Sequence, residues 1–446
     1  MLTAAHMLLA AKPAPYTPDT GDTAWVLTSA ALVLLMTPGL AFFYGGMVRG
    51  KNVLTIMMQN FITIGIVSVL WVIIQFSLAF GPGNAFIGDL TFVGFKNTLQ
   101  NEQMIPGLTL TVPILVFSMF QLMFAVITPA LFTGASADRL KFAPFLVIVT
   151  VWSLIVYAPI AHWVWSPTGF LNKLGALDFA GGTVVHANAG AAGLALAIVL
   201  GRRKGWPKEP MRPHNLPFVL LGTGLLWFGW FGFNAGSAGG ASNLAGVAFT
   251  TTNTATAAAM IGWLVTERLR DGHATTLGAA SGAVAGLVAI TPAAGYVSPL
   301  GSILLGLVAG AVCCLATAMK FKFGFDDALD VVGVHLVGGV LGALLIGLLA
   351  TVSVNAAGKD GLFYGGGFTL LGYQAAAVAC SVTYSFVMTF ILAKVVGMIF
   401  GGLRVSEEVE QEGLDINLHA ETAYEEFQSG GVFRGALNAS KEEVSA

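Results

Sequence analysis

The chain has 446 residues, 56% of them hydrophobic and only 10% charged, with a formal net charge of −2 and a mean hydropathy of +0.79. A soluble chain of this size carries about a quarter of its residues charged, so a water-soluble globular protein is excluded and no nucleic-acid partner is expected. Its 56 glycines lack the collagen period; set among Leu, Val, Ala and Phe, they suit close helix packing in a bilayer.

In chain order, residues 1–21, with Pro13, Pro15 and Pro18, read as a short unstructured segment on the outer side. The apolar stretch Met7–Ala11 has no basic region before it and makes a poor signal peptide. Eleven apolar runs of spanning length follow, at about 24–48, 53–80, 108–134, 141–162, 180–201, 216–237, 243–266, 276–294, 299–319, 331–353 and 368–400. The expected fold class is therefore an all-α polytopic membrane protein with eleven transmembrane helices. Its least marked turn is Gly236–Ser242, between spans six and seven. Cys313, Cys314 and Cys380 lie in apolar runs without metal-ligand spacing or a disulfide framework, so they read as packing residues.

Charge orients the spans. One set of loops holds Arg49, Lys51, Arg139, Lys141, Arg202, Arg203, Lys204, Lys208, Arg212, Arg268, Arg270, Lys320 and Lys322; the alternate set holds Lys96, Lys173 and Lys359. The basic side is expected to be cytoplasmic, which puts the N-terminus outside and the C-terminus inside a plasma (inner) membrane.

An internal repeat is also legible. Asp178 stands eight residues before His186 in DFAGGTVVH, and Asp327 eight before His335 in DALDVVGVH. The first motif falls in span five and the second in span ten, so they run in opposite directions. PGLAFFYGG at the end of span one is loosely echoed by LLWFGWFGFNAG at the end of span six. The pattern is that of a 5+5 inverted repeat plus an eleventh helix, with repeats at about 22–201 and 214–353 and the last helix at about 368–400. Eight helical residues advance about 12 Å in a core about 30 Å thick. Both imidazoles thus approach the midplane from opposite faces.

Buried polar groups are costly unless partnered, so two histidines at matching depth point to function. Two His with no nearby Cys, Glu or further His are too few for a metal site. A low dielectric favours neutral rings, which can offer a nitrogen or a C–H edge to a small polar solute. Phe124, Trp165, Trp230 and Phe233 supply aromatic faces that attract a cation, and Ser237 a hydroxyl acceptor. Trp165 fits an interfacial belt equally well, and the phenylalanines fit simple packing. Asp178 suits both a helix cap and a source of negative potential below an outer vestibule. No chain of carboxylates continues across the bundle as a proton relay.

The segments LLMTPGLAFFYGGMVRGKN (34–52), FQLMFAVITPALFTGASADRLKF (120–142), ALDFAGGTVVHANAGAAGLA (176–195), WFGWFGFNAGSAG (227–239), DDALDVVGVHLVGGVLG (326–342) and GLRVSEEVEQEGLDINLHAETAY (402–424) resemble the ammonium transporter family. The resemblance covers nearly the whole chain. It implies eleven spans, a homotrimer with a pore in each protomer, no cofactor, and recruitment of ammonium outside followed by loss of a proton and passage of ammonia. It further implies that Phe124, Trp165 and Ser237 recruit ammonium, with Asp178 beneath them, and that Phe124 and Phe233 form a phenyl gate. His186 and His335 become the central pair, with Phe43 and Trp230 as further pore-lining aromatics. Leu336 stands where many relatives have glycine, and FTTTNTATAAAM (249–260) is richer in threonine than the family's pattern; those hydroxyls either line the inner pore or bond back to the helix.

Ten of the 23 acidic residues follow Arg404, a composition that by itself suits disorder. By resemblance, the segment to about Tyr424 within the 402–446 tail is ordered, packs beneath neighbouring protomers and meets a PII-type signalling protein. Transport of ammonium or ammonia leads. The alternatives are an ammonium sensor signalling through its tail, which the lack of an appended cytoplasmic domain disfavours, and a channel for water, urea or formate. An enzyme is not expected, since no nucleophile, base and orienting acid converge.

Overall fold

The computed structural model describes residues 17–99 and 105–424. The expected signals in residues 1–16, and the tail beyond Tyr424, lie outside the described residues. The described chain is all-helical, and its long helices are α1 (Thr20–Met47), α2 (Gly50–Phe80), α3 (Ile114–Ser136), α4 (Phe142–Leu174), α5 (Gly182–Leu200), α6 (Leu216–Gly236), α7 (Asn243–Asp271), α8 (Thr276–Ile290), α9 (Pro299–Phe323), α10 (Val332–Leu349) and α11 (Thr369–Ile399). Among the described residues, nine of these are long and apolar enough to cross a membrane. The other two are α7, diluted by Thr250, Thr251, Thr252, Thr254 and Thr256, and α8, only 15 residues long. Two short tail helices follow, α12 (Glu407–Glu412) and α13 (Leu414–His419).

Local chemistry sets the ends. The Asp19 carboxylate accepts the Asp22 N–H at 2.8 Å and starts α1. The third run was expected to begin near residue 108, but α3 starts at Ile114, because Pro113 holds extended backbone at its N-cap. The fourth was expected to end near 162, whereas helix resumes at Phe170–Leu174 after a break at Ser166–Gly169. The threonines of α7 turn largely inward on their own helix: Thr250, Thr252, Thr254 and Thr256 each donate to the carbonyl four residues back. This is the back-bonding alternative of the two expected for that stretch. α1 and α6 pack closely enough that a side chain on Gly222 would strike the Phe43 backbone.

The basic end of the bundle is closed by buried ion pairs. Arg203 bridges Asp326 at 2.9 Å and Asp138 at 3.2 Å, and Arg49 reaches Asp138 at 3.2 Å. Arg139 is fully buried and donates to the Asp326 carbonyl at 2.5 Å; burial, only partly offset by the Asp326 charge, lowers it to about 10. The tail docks onto this end. Asp415 accepts the N–H groups of Leu54 (2.9 Å) and Thr55 (2.7 Å), capping donors that the first turn of α2 otherwise leaves open. Leu414 donates to Asn52 at 2.8 Å, and Arg404 pairs with buried Glu410 at 2.6 Å.

Candidate functional site

Two wide turns hold the histidines. The Asp178 carboxylate, buried just ahead of α5, accepts the N–H groups of Gly181 (2.8 Å), Gly182 (2.7 Å) and Thr183 (2.8 Å) together with the Thr183 hydroxyl. It therefore caps the helix. The turn that follows, Gly182–Ala187, is π-helical and carries His186. Asp327 accepts the Val332 N–H at 2.7 Å ahead of the second π turn, Val332–Leu336, which carries His335. Single π turns of this kind recur at functional sites.

Glycines let the two turns meet. Four residues after His186 stands Gly190, where an added Cβ would lie 2.5 Å from the Leu336 Cα. Four residues after His335 stands Gly339, where it would lie 2.8 Å from the Ala187 nitrogen and the Gly182 oxygen. Each glycine thus admits the backbone beside the other histidine, and Leu336 is accommodated by Gly190. The result is a pair of buried imidazoles with Nδ1 atoms 3.3 Å apart and ring centroids 5.4 Å apart at 23°. Two such nitrogens bond when one donates and the other accepts, so the tautomers of the neutral rings are linked. His186 Nε2 is buried without a protein partner among the described residues.

Aromatic rings continue the site toward the end of the bundle opposite the tail. His186 stacks on Trp230 (5.3 Å, 17°) and faces Phe233 (6.0 Å, 28°). Trp230 is held by its indole N–H donating to the Thr291 hydroxyl at 2.8 Å. Phe233 meets Phe124 at 4.3 Å, and Phe124 meets Trp165 edge-on at 5.6 Å. The Trp165 indole donates to the Asp178 carbonyl at 3.0 Å, so one residue caps the histidine helix and anchors the outermost ring.

Above these rings lies a cavity of about 460 Å³ bordered by Phe124, Trp165, Ser237 and Gln121. The Ser237 hydroxyl donates to the Phe233 carbonyl at 2.7 Å, which leaves its oxygen lone pairs as acceptors. Gln121 Oε1 has no protein partner among the described residues. The cavity thus combines aromatic faces with oxygen acceptors, which suits a small cation bearing N–H donors. Of the residues picked out from sequence, Phe124, Trp165, Asp178, His186, Trp230, Phe233, Ser237 and His335 come together. Phe43 does not enter the ring column in the same way, its ring partner being Tyr44 at 5.9 Å. Gln121, Thr291, Gly190 and Gly339 were missed. The glycine spacing after each histidine was the signal available for the last two. Among the described residues no group of three or more His, Cys, Asp or Glu could hold a metal ion.

The sequence profile described as the Ammonium Transporter Family matches residues 24–424. An ammonium transporter of Mycobacterium tuberculosis is 54% identical, over 92% of this chain and 91% of its own. The crystal structure of Candida albicans Mep2 superposes with a TM-score of 0.83 at 36% identity, covering 88% of this chain and 87% of that one. A structure titled Sensor Amt Protein superposes with a TM-score of 0.81 at 30% identity, covering 90% and 98%.

Proposed function

Because this chain belongs to the ammonium transporter family, and is a multi-pass membrane transporter of ammonium or ammonia rather than an enzyme, we propose how its residues divide that task. Ammonium is drawn into the outer vestibule by the faces of Phe124 and Trp165, each aromatic contact contributing about 0.5–2 kcal/mol, and donates hydrogen bonds to Ser237 and Gln121. The Asp178 carboxylate, beneath Trp165, favours the cation there. Passage through the Phe124–Phe233 gate would strip the remaining water. An ion faces a desolvation cost of many kcal/mol in such a site, and neutral ammonia only a few. The proton is therefore given up to solvent water in the outer vestibule before the gate, and neutral ammonia moves along Trp230, His186 and His335, while Phe43 packs on Tyr44 outside this column. The observation that carries this reading is the continuous contact from Trp165 through Phe124, Phe233 and His186 to His335.

The topology belongs to the same proposal. Threonine-rich α7 and short α8 complete eleven spans within a transport domain of residues 22–401, flanked by an outer segment 1–21 and a cytoplasmic tail 402–446. The 5+5 inverted repeat is supported by the matched order of Asp, π turn, histidine and glycine in 178–190 and 327–339. The thirteen-to-three division of basic loop residues supports an outer N-terminus and a cytoplasmic C-terminus in a plasma membrane. A homotrimer, with a PII-type protein meeting the docked tail, completes the reading.

The test uses sealed proteoliposomes carrying an internal pH indicator, with current recorded on a solid-supported membrane. Pulses of ammonium are expected to give a saturable response in one or both readouts, and urea and formate none. An equal response to urea or formate would replace the proposal with a general solute channel. Ammonium binding by folded protein that is silent in both readouts would replace it with a sensor.

A further inference from the structure

A groove on the outside of the bundle, away from the histidine pathway, points to a lipid. Between α5, α9 and α10 lies a cavity of about 630 Å³ whose walls include Leu194, Ile198, Phe323 and Leu336. A second cavity, of about 270 Å³, shares Leu194 and Leu336 with it and continues toward Phe386 and Val387 of α11. From Ala191 at the deep end to Gly201 at the mouth the groove follows ten residues of α5, a rise of about 15 Å. That is half of a hydrocarbon core about 30 Å thick, the depth of one leaflet.

The mouth is basic. Arg202 lines it, with its guanidinium over Trp206 and no carboxylate within salt-bridge reach among the described residues. Lys322 is exposed beside Phe323, likewise without a carboxylate partner among them. Asp326 also borders the cavity, but it is fully buried and its two oxygens are taken by Arg203. An apolar slot one leaflet deep, with Arg202 on its wall and Lys322 set over the ring of the lining residue Phe323, is complementary to one molecule: a phospholipid with an anionic headgroup. We propose that this groove binds such a lipid from the leaflet on the tail side, one acyl chain lying between α5, α10 and α11 and the phosphate meeting Arg202 and Lys322. Assigning that side to the cytoplasmic leaflet rests on the topology proposed above; the binding does not.

Native mass spectrometry of the full-length protein, titrated with dioleoyl phosphatidylglycerol or dioleoyl phosphatidylcholine in the absence of ammonium, tests this independently of transport. The expected result is preferential retention of the anionic lipid. Binding should weaken by roughly fivefold for each of Arg202→Gln and Lys322→Gln, and also in Leu194→Trp, which fills the junction of the two cavities but keeps both cations. Leu194→Trp guards against misreading a folding defect in the Arg202 variant, whose guanidinium also donates to the Gly324 carbonyl. Equal retention of the two lipids, unchanged binding in Leu194→Trp, or displacement by glycerol 3-phosphate alone would overturn the proposal. So would a Val387→Cys crosslink between protomers, which would give the groove to a second copy of the chain.

Discussion

Asp178 shows how much one side chain can fix. Its carboxylate takes four backbone N–H groups and a hydroxyl, while its carbonyl takes the Trp165 indole, so the helix carrying His186 and the outermost ring of the column share an anchor. Asp178→Asn replaces one acceptor oxygen with an NH2 facing N–H donors. It should lower stability by about 2 kcal/mol, read as a lower melting temperature in detergent, together with weaker ammonium recruitment. An unchanged melting temperature would mean the cap is dispensable. Asp178 and both histidines were legible in sequence because ionisable residues are conspicuous in apolar spans. Gln121 and Thr291 were not, because a neutral amide or hydroxyl in a helix bonds as readily to its own backbone as to a site.

Among the elements, the π turns of α5 and α10 and the glycines that follow them bring the two imidazoles together. Gly190→Ala and Gly339→Ala should each overpack this crossing, costing about 1–3 kcal/mol and reducing uptake, whereas Gly246→Ala, with open space around it, should do neither. Thermal unfolding and proteoliposome uptake measured side by side check this; wild-type behaviour of both crossing variants would show that the close approach is not needed. Most helix positions were legible to within a few residues, since each run is apolar and flanked by polar breaks. The start of α3 was not, because residues 108–113 are themselves mostly apolar and only Pro113 marks the end of extended chain. The π turns left no mark in the sequence: the helix also widens at Trp71–Gln75 and Ser153–Tyr157, where no carboxylate precedes the turn, so the Asp-to-His spacing alone does not announce it.

Over the whole molecule, the basic end is tied together by Arg203, Asp138 and Asp326, and by the tail on α2. Burial works to raise the Asp326 carboxyl, but hydrogen bonds and charge from Arg203, aided by Arg139, hold it below its ordinary value. Its stabilising effect is thus complete above the unfolded carboxylate pKa, about 4, and is lost as the pH falls through the lower folded value. Asp326→Asn should cost about 3–5 kcal/mol by leaving Arg203 underpaired and flatten the acid limb of a melting-temperature profile; an unaltered limb would place acid sensitivity elsewhere. The proposed pathway runs along the other axis of the molecule, as a column of aromatic rings ending in two neutral histidines that passes ammonia and rejects ions. The most direct measurement is the current in proteoliposomes pulsed with ammonium and then potassium, for the wild type and for His186→Asp. A midplane carboxylate should impair ammonia passage and admit a potassium current that the wild type lacks. A correctly assembled His186→Asp protein with wild-type uptake and no new current would contradict the account.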